Sequence, residues 1–185
     1  MRIIAGIAKG HLLKAPKGFI TRPTTDRIRE ALFNILYSRV LDAEVLDLFA
    51  GTGALGIEAL SRGAARADFV ERCLPAFKCI KHNLAKTKLQ TFARVIYGDA
   101  LSFLNKCALA YDLIFIDPPY QQNLAEQALQ IVAQNAILKP DGIAVAETGK
   151  AENLPEQIGE LRCVRQVRYG DTLLWFYHLA KEEEK

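Results

Sequence analysis

The segment that most restricts the fold is Val45-Leu46-Asp47-Leu48-Phe49, a short apolar strand interrupted by one acid. It runs into Ala50-Gly51-Thr52-Gly53-Ala54-Leu55-Gly56 and then a helical stretch through Arg62. Strand, glycine turn and helix in that order form a ligand-binding βα unit. Gly51 allows a φ that a side chain forbids, Gly53 lets a ligand approach the backbone, and Gly56 permits close helix-to-strand packing. The helix N-terminus presents free N–H groups beside them. Strand and helix patterns then alternate. Ala67 to Val70 ends at Glu71, Pro75 starts a helix, Val95 to Tyr97 leads to Gly98 and Asp99, and Leu113 to Ile116 leads to Asp117. A helix is expected from about Gln122 to Asn135, and Pro140-Asp141-Gly142 turns into a strand over Ile143 to Glu147. This alternation predicts an α/β fold with a mostly parallel, doubly wound sheet. The C-terminal end differs: Leu161 to Tyr169 and Thr172 to Leu179 are β-rich and joined by Gly170-Asp171, a tight hairpin that leaves the last strand antiparallel.

Acids recur at three successive strand-to-helix corners: Asp47, Glu71 and Asp99. Each alone reads equally as a helix N-cap or a solvated strand end. Gly51-x-Gly53-x-x-Gly56 also matches the dinucleotide fingerprint, with Glu71 about twenty residues on as a ribose-binding acid, so an NAD-dependent oxidoreductase is an alternative. Against it, Asp47 lies inside the strand feeding the loop, close to where a pyrophosphate would sit, and no hydride-transfer set is nearby. S-adenosylmethionine suits the acids better. Asp47 would face its methionine end with the α-ammonium, Glu71 the ribose hydroxyls, and Asp99 the adenine amine.

Asp117-Pro118-Pro119-Tyr120 follows the apolar run Leu113 to Ile116, where a buried strand should end. The prolines fix φ and donate no N–H, so the carbonyls of Asp117 and Pro118 lack a ladder partner and can face a substrate. Such a corner holds a planar amino group: Asp117 and a carbonyl accept its hydrogens while Tyr120 offers a face to the base. Pro-Pro merely stopping a strand, with a packed tyrosine, is the plainer alternative. In an open α/β sheet, ligands collect where strand order reverses. If the first and fourth strands are neighbours, the Gly51 loop and the Asp117 corner emerge about 5 Å apart.

Three segments, "RPTTDRIREALFNIL" at 22 to 36, "LDLFAGTGALGIEALSRGA" at 46 to 64 and "DPPY" at 117 to 120, resemble the RsmD family of bacterial 16S ribosomal RNA guanine-N2 methyltransferases. The likeness extends from "MRIIAG" to the terminal hairpin; DPPY alone recurs across amino-methyltransferases acting on DNA, RNA and protein. The resemblance implies a Rossmann-like class I methyltransferase fold and S-adenosylmethionine as cofactor. By position it makes Asp117, Pro118 and Tyr120 the catalytic corner. It makes Asp47, the loop Phe49, Ala50, Gly51, Thr52 and Gly53, then Glu71, Asp99 and Ala100, the cofactor site. Two positions depart from the family pattern: His11 stands where relatives often carry arginine, which weakens an RNA contact there, and Cys73 replaces a common acid, leaving Glu71 to act alone. The implied partner is 16S ribosomal RNA; so short a basic arm is expected to need a small-subunit assembly particle to complete its docking surface, and the enzyme is expected to be a monomer. Guanine N2 is selected by the resemblance only, since the corner itself accepts either amine. DNA or RNA adenine-N6 methylation is therefore an alternative, as is a non-catalytic RNA-binding ribosome assembly factor.

Charge supports a nucleic-acid partner. Residues 1 to 30 carry seven Lys or Arg against Asp26 and Glu30, a net +5, so the remainder carries −2 of the chain's +3. Lys9, His11, Lys14, Arg22, Arg27 and Arg29 are the candidate RNA contacts. Either phosphate or the methionine carboxylate can be the partner of Arg22, Arg27 or Arg29, and a salt bridge to Asp26 or Glu30 is the plainer reading. Residues 1 to 20 are expected to form a basic β-hairpin arm, Arg2 to Ile7 and His11 to Ala15 around Ala8-Lys9-Gly10; 21 to 180 the methyltransferase domain; 181 to 185 a charged tail. Asp26 or Thr25 is expected to cap a helix over Arg27 to Ser38. At 185 residues and half apolar, the chain fits one domain. Cysteines 73, 79, 107 and 163 make no metal spacing, and neither a membrane-length apolar run nor a signal peptide is present, so a reduced, cytoplasmic, metal-free protein is expected.

Overall fold

A computed structural model describes residues 1–16, 26–119 and 123–180. Its elements are α1 (Asp26–Leu36), β1 (Glu44–Leu48), α2 (Ala54–Ser61), β2 (Arg66–Glu71), α3 (Leu74–Thr87), β3 (Ala93–Tyr97), α4 (Ala100–Leu104), β4 (Tyr111–Ile116), α5 (Leu124–Gln134), β5 (Leu138–Gly149), β6 (Gln157–Ile158), β7 (Leu161–Tyr169) and β8 (Thr172–Leu179). The described strands form one sheet in the order β3-β2-β1-β4-β5-β8-β7-β6. The first five strands pair in parallel, while β8 runs antiparallel to both β5 and β7. Near-continuous apolar runs in β1 and β4 follow from this position, because central strands of a doubly wound sheet are covered on both faces.

Side chains alternate across the sheet to build two cores. Val45, Phe69, Phe115 and Val145 pack with Leu32, Phe33 and Leu36 of α1, Ile57 of α2 and Ile80 of α3. Leu46, Val70, Ile116 and Ala146 pack against Leu104 of α4, Ala128, Leu129 and Val132 of α5, and Trp175. The indole N–H of Trp175 donates to Thr148 Oγ1 at 2.8 Å, so this residue is satisfied core.

Two expectations are revised. Pro140-Asp141-Gly142 does not precede β5 but lies inside it. Between the pairs Tyr111↔Leu138 and Leu113↔Ile143, β5 advances five residues while β4 advances two, so the turn is absorbed as a bulge. The helix expected over Arg27 to Ser38 ends at Leu36, and Tyr37–Arg39 tightens into a 3-10 turn.

The N-terminal segment is a hairpin with one bridge, Arg2↔Leu12, closed by Ile3 N–H to the His11 carbonyl (3.0 Å) and Gly10 N–H to the Ile3 carbonyl (2.9 Å). It is fastened to α2 rather than projecting from the domain. Ile3, Ala8 and Leu13 join the first core. The N–H groups of Ile4 and Ala5 donate to the Glu58 carboxylate at 2.8 and 3.0 Å, and Ile7 N–H to the Ser61 carbonyl at 2.8 Å. At Gly6 (φ +79°), a Cβ would lie 1.7 Å from the Ser61 carbonyl oxygen, so only glycine allows this approach.

Candidate functional site

Strand order reverses between β1 and β4, which are parallel neighbours with Leu48 opposite Ile116. The loop after β1 and the corner after β4 therefore leave the sheet side by side, as the sequence predicted. Between β1 and α2 the backbone is left-handed at Phe49 (φ +57°), Gly51 (+55°) and Gly53 (+77°). A non-glycine residue held there costs about 1–2 kcal/mol, and such outliers concentrate at ligand sites. The loop is clamped by Ala50 N–H to the Val70 carbonyl (3.0 Å) and Gly53 N–H to the Ala50 carbonyl (2.7 Å). The open side expected at Gly53 belongs to Gly51, where a Cβ would meet nothing nearer than 3.9 Å; at Gly53 it would press on Ile57 and Ile80 at 3.2 Å. Gly56 behaves as expected: its Cβ would lie 2.3 Å from the Phe69 ring.

The three corner acids occupy different depths. Asp47 is 2% exposed, and its Oδ2 accepts from Gly56 N–H at 2.9 Å, near the start of α2. Burial pushes its carboxyl up to about 8; the Gly56 N–H opposes this and the nearby Glu71 charge adds to it. Glu71, buried at the end of β2, accepts from Gly51 N–H at 2.7 Å and Cys73 N–H at 2.6 Å, tying that strand end to the glycine loop. Asp99 is half-buried and caps α4, accepting from Ser102 N–H at 2.9 Å, with Ala100 buried behind it. Each acid thus has a local structural task, and none is consumed by it, since an ionised carboxylate has about four acceptor positions.

Register extends the site across the sheet. Tyr97 pairs with Glu71; one step past Leu48, Ile116 and Ala146, Phe49, Asp117 and Glu147 come level with them. Asp117 is half-buried, Pro118 buried and Pro119 exposed. Tyr120 lies outside the described residues. Glu147, 6% exposed, is a carboxylate that the sequence reading missed. By strand alternation, Asp117 and Glu147 project toward the face of Phe115 and Val145. An acid near the C-terminal end of an apolar strand run, as at Asp47 and Asp117, was the signal that could have found it.

Of the expected RNA contacts, Lys9, His11, Lys14 and Arg27 are exposed, and Arg22 lies outside the described residues. Arg29 is a correction: it is 0% exposed, with Nη2 donating to the Arg2 carbonyl and to Asp26 Oδ1 (3.0 Å), and Nε 3.8 Å from the buried Glu58. A guanidinium so enclosed fixes the hairpin to α1 and α2 and is not available to a phosphate. The hairpin turn with Lys9 and His11 lies at the Ser61 end of α2, a helix length of about 12 Å from the glycine loop. Lys14 is back at the loop: its N–H donates to Asn83 Oδ1 at 2.8 Å, and the Asn83 amide donates to the Thr52 carbonyl at 3.0 Å. Among the described residues, no three His, Cys, Asp or Glu converge to hold a metal ion, and no helix is long and apolar enough to cross a membrane.

Comparison with known proteins agrees with this geometry. A family model described as "Conserved hypothetical protein 95" matches residues 1–178. YlbH of Bacillus subtilis, provisionally named an rRNA methyltransferase, is 40% identical over 180 residues, covering 96% of this chain and 98% of its own length. Ribosomal RNA small subunit methyltransferase D of Escherichia coli K12 is 39% identical over 155 residues, 84% of this chain and 78% of that one. Among solved structures, YhhF of Escherichia coli, provisionally named a methyltransferase, superposes with a TM-score of 0.88 at 36% identity, covering 97% of this chain and 98% of that one.

Proposed function

Because the chain belongs to the RsmD family, that of conserved hypothetical protein 95, we propose that it transfers a methyl group from S-adenosylmethionine to the exocyclic N2 amine of a guanine in 16S ribosomal RNA. The observation that carries this reading is the adjacency of β1 and β4, which sets the glycine loop one strand spacing from the Asp117-Pro118 corner. A methyl donor held at the loop and an amine held at the corner would then be neighbours.

The residues present fit the cofactor. Asp47 is a buried carboxylate whose burial a cationic amino group would relieve; Glu71 is tied to the loop through Gly51 N–H and could accept from ribose hydroxyls; Gly51 leaves the backbone open; Asp99 stands at the next corner. S-adenosylmethionine supplies a methyl group made electrophilic by its sulfonium. The chain's task is alignment, which can account for most of the barrier reduction when the donor is already activated. Target RNA docks on the basic hairpin, and a guanine leaves its stack at a cost of a few kcal/mol. Asp117 and the Pro118 carbonyl accept the two N2 hydrogens and direct the nitrogen lone pair at the methyl carbon. Transfer would form the N–C bond as the donor's C–S bond breaks, with the electron pair leaving on sulfur, and N2 would become cationic beside these two acceptors. The two acceptors then bind it more strongly than in the ground state, which raises turnover. The proton leaves N2 afterwards.

The test is transfer of labelled methyl to small subunits lacking their guanine-N2 methyl groups, followed by nucleoside identification. The expected product is N2-methylguanosine; label in N6-methyladenosine would overturn the choice of base. Asp117→Ala should lower transfer roughly 100-fold or more while sparing cofactor affinity. Near-normal turnover would remove Asp117 from the mechanism.

A further inference from the structure

Positive charge is concentrated a second time in this chain, away from the N-terminus. The 27 residues from Arg72 to Gly98 contain six Lys or Arg and no Asp or Glu, so that everything outside this stretch and residues 1 to 30 carries −8. In the fold the stretch forms α3 and β3, at the edge of the sheet beside the corner acids Glu71 and Asp99. The inner face of α3 buries Ile80 and Leu84, and the outer face exposes Lys78, Lys81 and Lys86 at helical spacing.

Two aromatic side chains interleave with these cations. Tyr97, the last residue of β3, is 57% exposed, level with Glu71, and its ring lies 5.4 Å from that of Phe77 at an interplanar angle of 59°. Lys81 Nζ stands 4.6 Å over the Phe77 ring. Packing alone does not call for an aromatic pair at an open rim. Aromatic faces set among cations are the composition of a single-strand nucleic-acid surface, where bases stack on rings and phosphates follow the charge. The patch is also continuous with the hairpin: Lys86 Nζ donates to the Leu12 carbonyl at 2.8 Å, and the Asn83 side chain holds both the N–H and the carbonyl of Lys14.

We propose that the outer flank of α3 with the end of β3 is a second RNA-docking surface, on which an unpaired base stacks against Tyr97, braced by Phe77, while Arg72, Lys78 and Lys81 hold neighbouring phosphates. It rests on the reading of the chain as an RNA methyltransferase. It lies three strand spacings, about 14 Å, from the Asp117 corner, so one RNA strand can engage both.

The test is filter binding of an unmethylated 16S rRNA transcript to the full chain at several salt concentrations, without turnover. Tyr97→Ala should weaken binding about tenfold and Tyr97→Phe should restore it. Lys78→Ala with Lys81→Ala should reduce the slope of log affinity against log salt by about 1.4. Cofactor affinity should stay at the wild-type value in every variant. Arg162→Ala with Arg165→Ala, on exposed β7 toward the opposite sheet edge, is the charge-matched control. Wild-type RNA affinity and salt slope in the α3 variants would overturn the proposal, as would an equal loss in the control pair. Variants that bind the transcript normally but fail only on assembled subunits would assign the face to a protein, which also overturns it. Wild-type protein that binds the transcript but methylates neither it nor small subunits lacking their guanine-N2 methyl groups counts against the proposed reaction and leaves the surface standing.

Discussion

Cofactor binding should expel a proton from Asp47. In the ligand-free protein its carboxyl titrates at about 8 because it is buried with one N–H donor, Gly56. A ligand whose ammonium lies against it requires the ionised form, so affinity rises with pH until the free carboxyl is ionised. The size follows from the distance to that value. At pH 7 the carboxyl must be ionised against one pH unit, about 1.4 kcal/mol, and affinity should be roughly tenfold below its plateau; at pH 6 the deficit is roughly 100-fold. Loss of the ammonium proton lowers affinity again at high pH, so the diagnostic limb is the acidic one. Isothermal titration with S-adenosylhomocysteine at pH 6 to 7.5, in buffers of different ionisation enthalpy, should give close to one proton released per ligand bound. Asp47→Asn keeps an acceptor for the Gly56 N–H and should abolish the acidic limb and the proton release. Affinity independent of pH over this range, with no proton exchanged, would show that the ligand's ammonium does not lie against Asp47. The sign for folding is consistent: a carboxyl raised above its unfolded value favours the folded state when protonated. The ligand-free protein should therefore lose stability as pH rises from about 4 toward 8, and ligand should reverse that loss.

Two other substitutions test the scaffold. Gly56→Ala places a Cβ 2.3 Å from the ring of Phe69 on a central strand, and should destabilise by about 1–3 kcal/mol in urea unfolding while weakening cofactor binding; an unchanged midpoint would show that α2 can retreat from β2. Glu58→Ala strips Arg29 of its buried counter-charge and the hairpin of its acceptor for Ile4 and Ala5, with an expected loss of about 3 kcal/mol or more. A loss below about 1 kcal/mol would mean that Asp26 and the Arg2 carbonyl suffice for Arg29.

What the sequence makes legible is what local chemistry determines. β1 and β4 could be read because a central parallel strand must be apolar on both faces, and the β7-β8 hairpin because Gly170-Asp171 is turn chemistry between β-rich runs. The corner acids could be located but not their partners: the donors to Asp47 and Glu71, Gly56 and Gly51, are set by how tightly the loop folds back. Arg29 was misread because an arginine on a helix beside basic neighbours is usually exposed. Its burial depends on Glu58 and the Arg2 carbonyl, 29 and 27 positions away. The bulge in β5 depends on register with Tyr111 and Leu113, which a strand's own sequence does not encode. The charge of residues 72 to 98 was in plain view but diluted in a whole-remainder sum.

The contacts missed from sequence are the ones that join the hairpin and α3 to the glycine loop and its helix. Glu58 is in α2, the helix that begins at the glycine loop, and it holds the hairpin by two backbone N–H groups. Asn83 of α3 grips Lys14 of the hairpin and, with the same amide, the carbonyl of Thr52 in the loop. Buried polar links with two discrete partners resist partial displacement, because breaking one leaves an unsatisfied group costing about 1–3 kcal/mol. Hairpin, α2 and α3 are therefore cross-linked by side-chain-to-backbone hydrogen bonds. On the proposed reading, an RNA seated on the hairpin and the α3 flank would be registered against the same backbone that would position the methyl donor. The Asp117 corner joins that backbone through the parallel pairing of β1 with β4, Leu48 opposite Ile116, while β5 holds β4 from its other side.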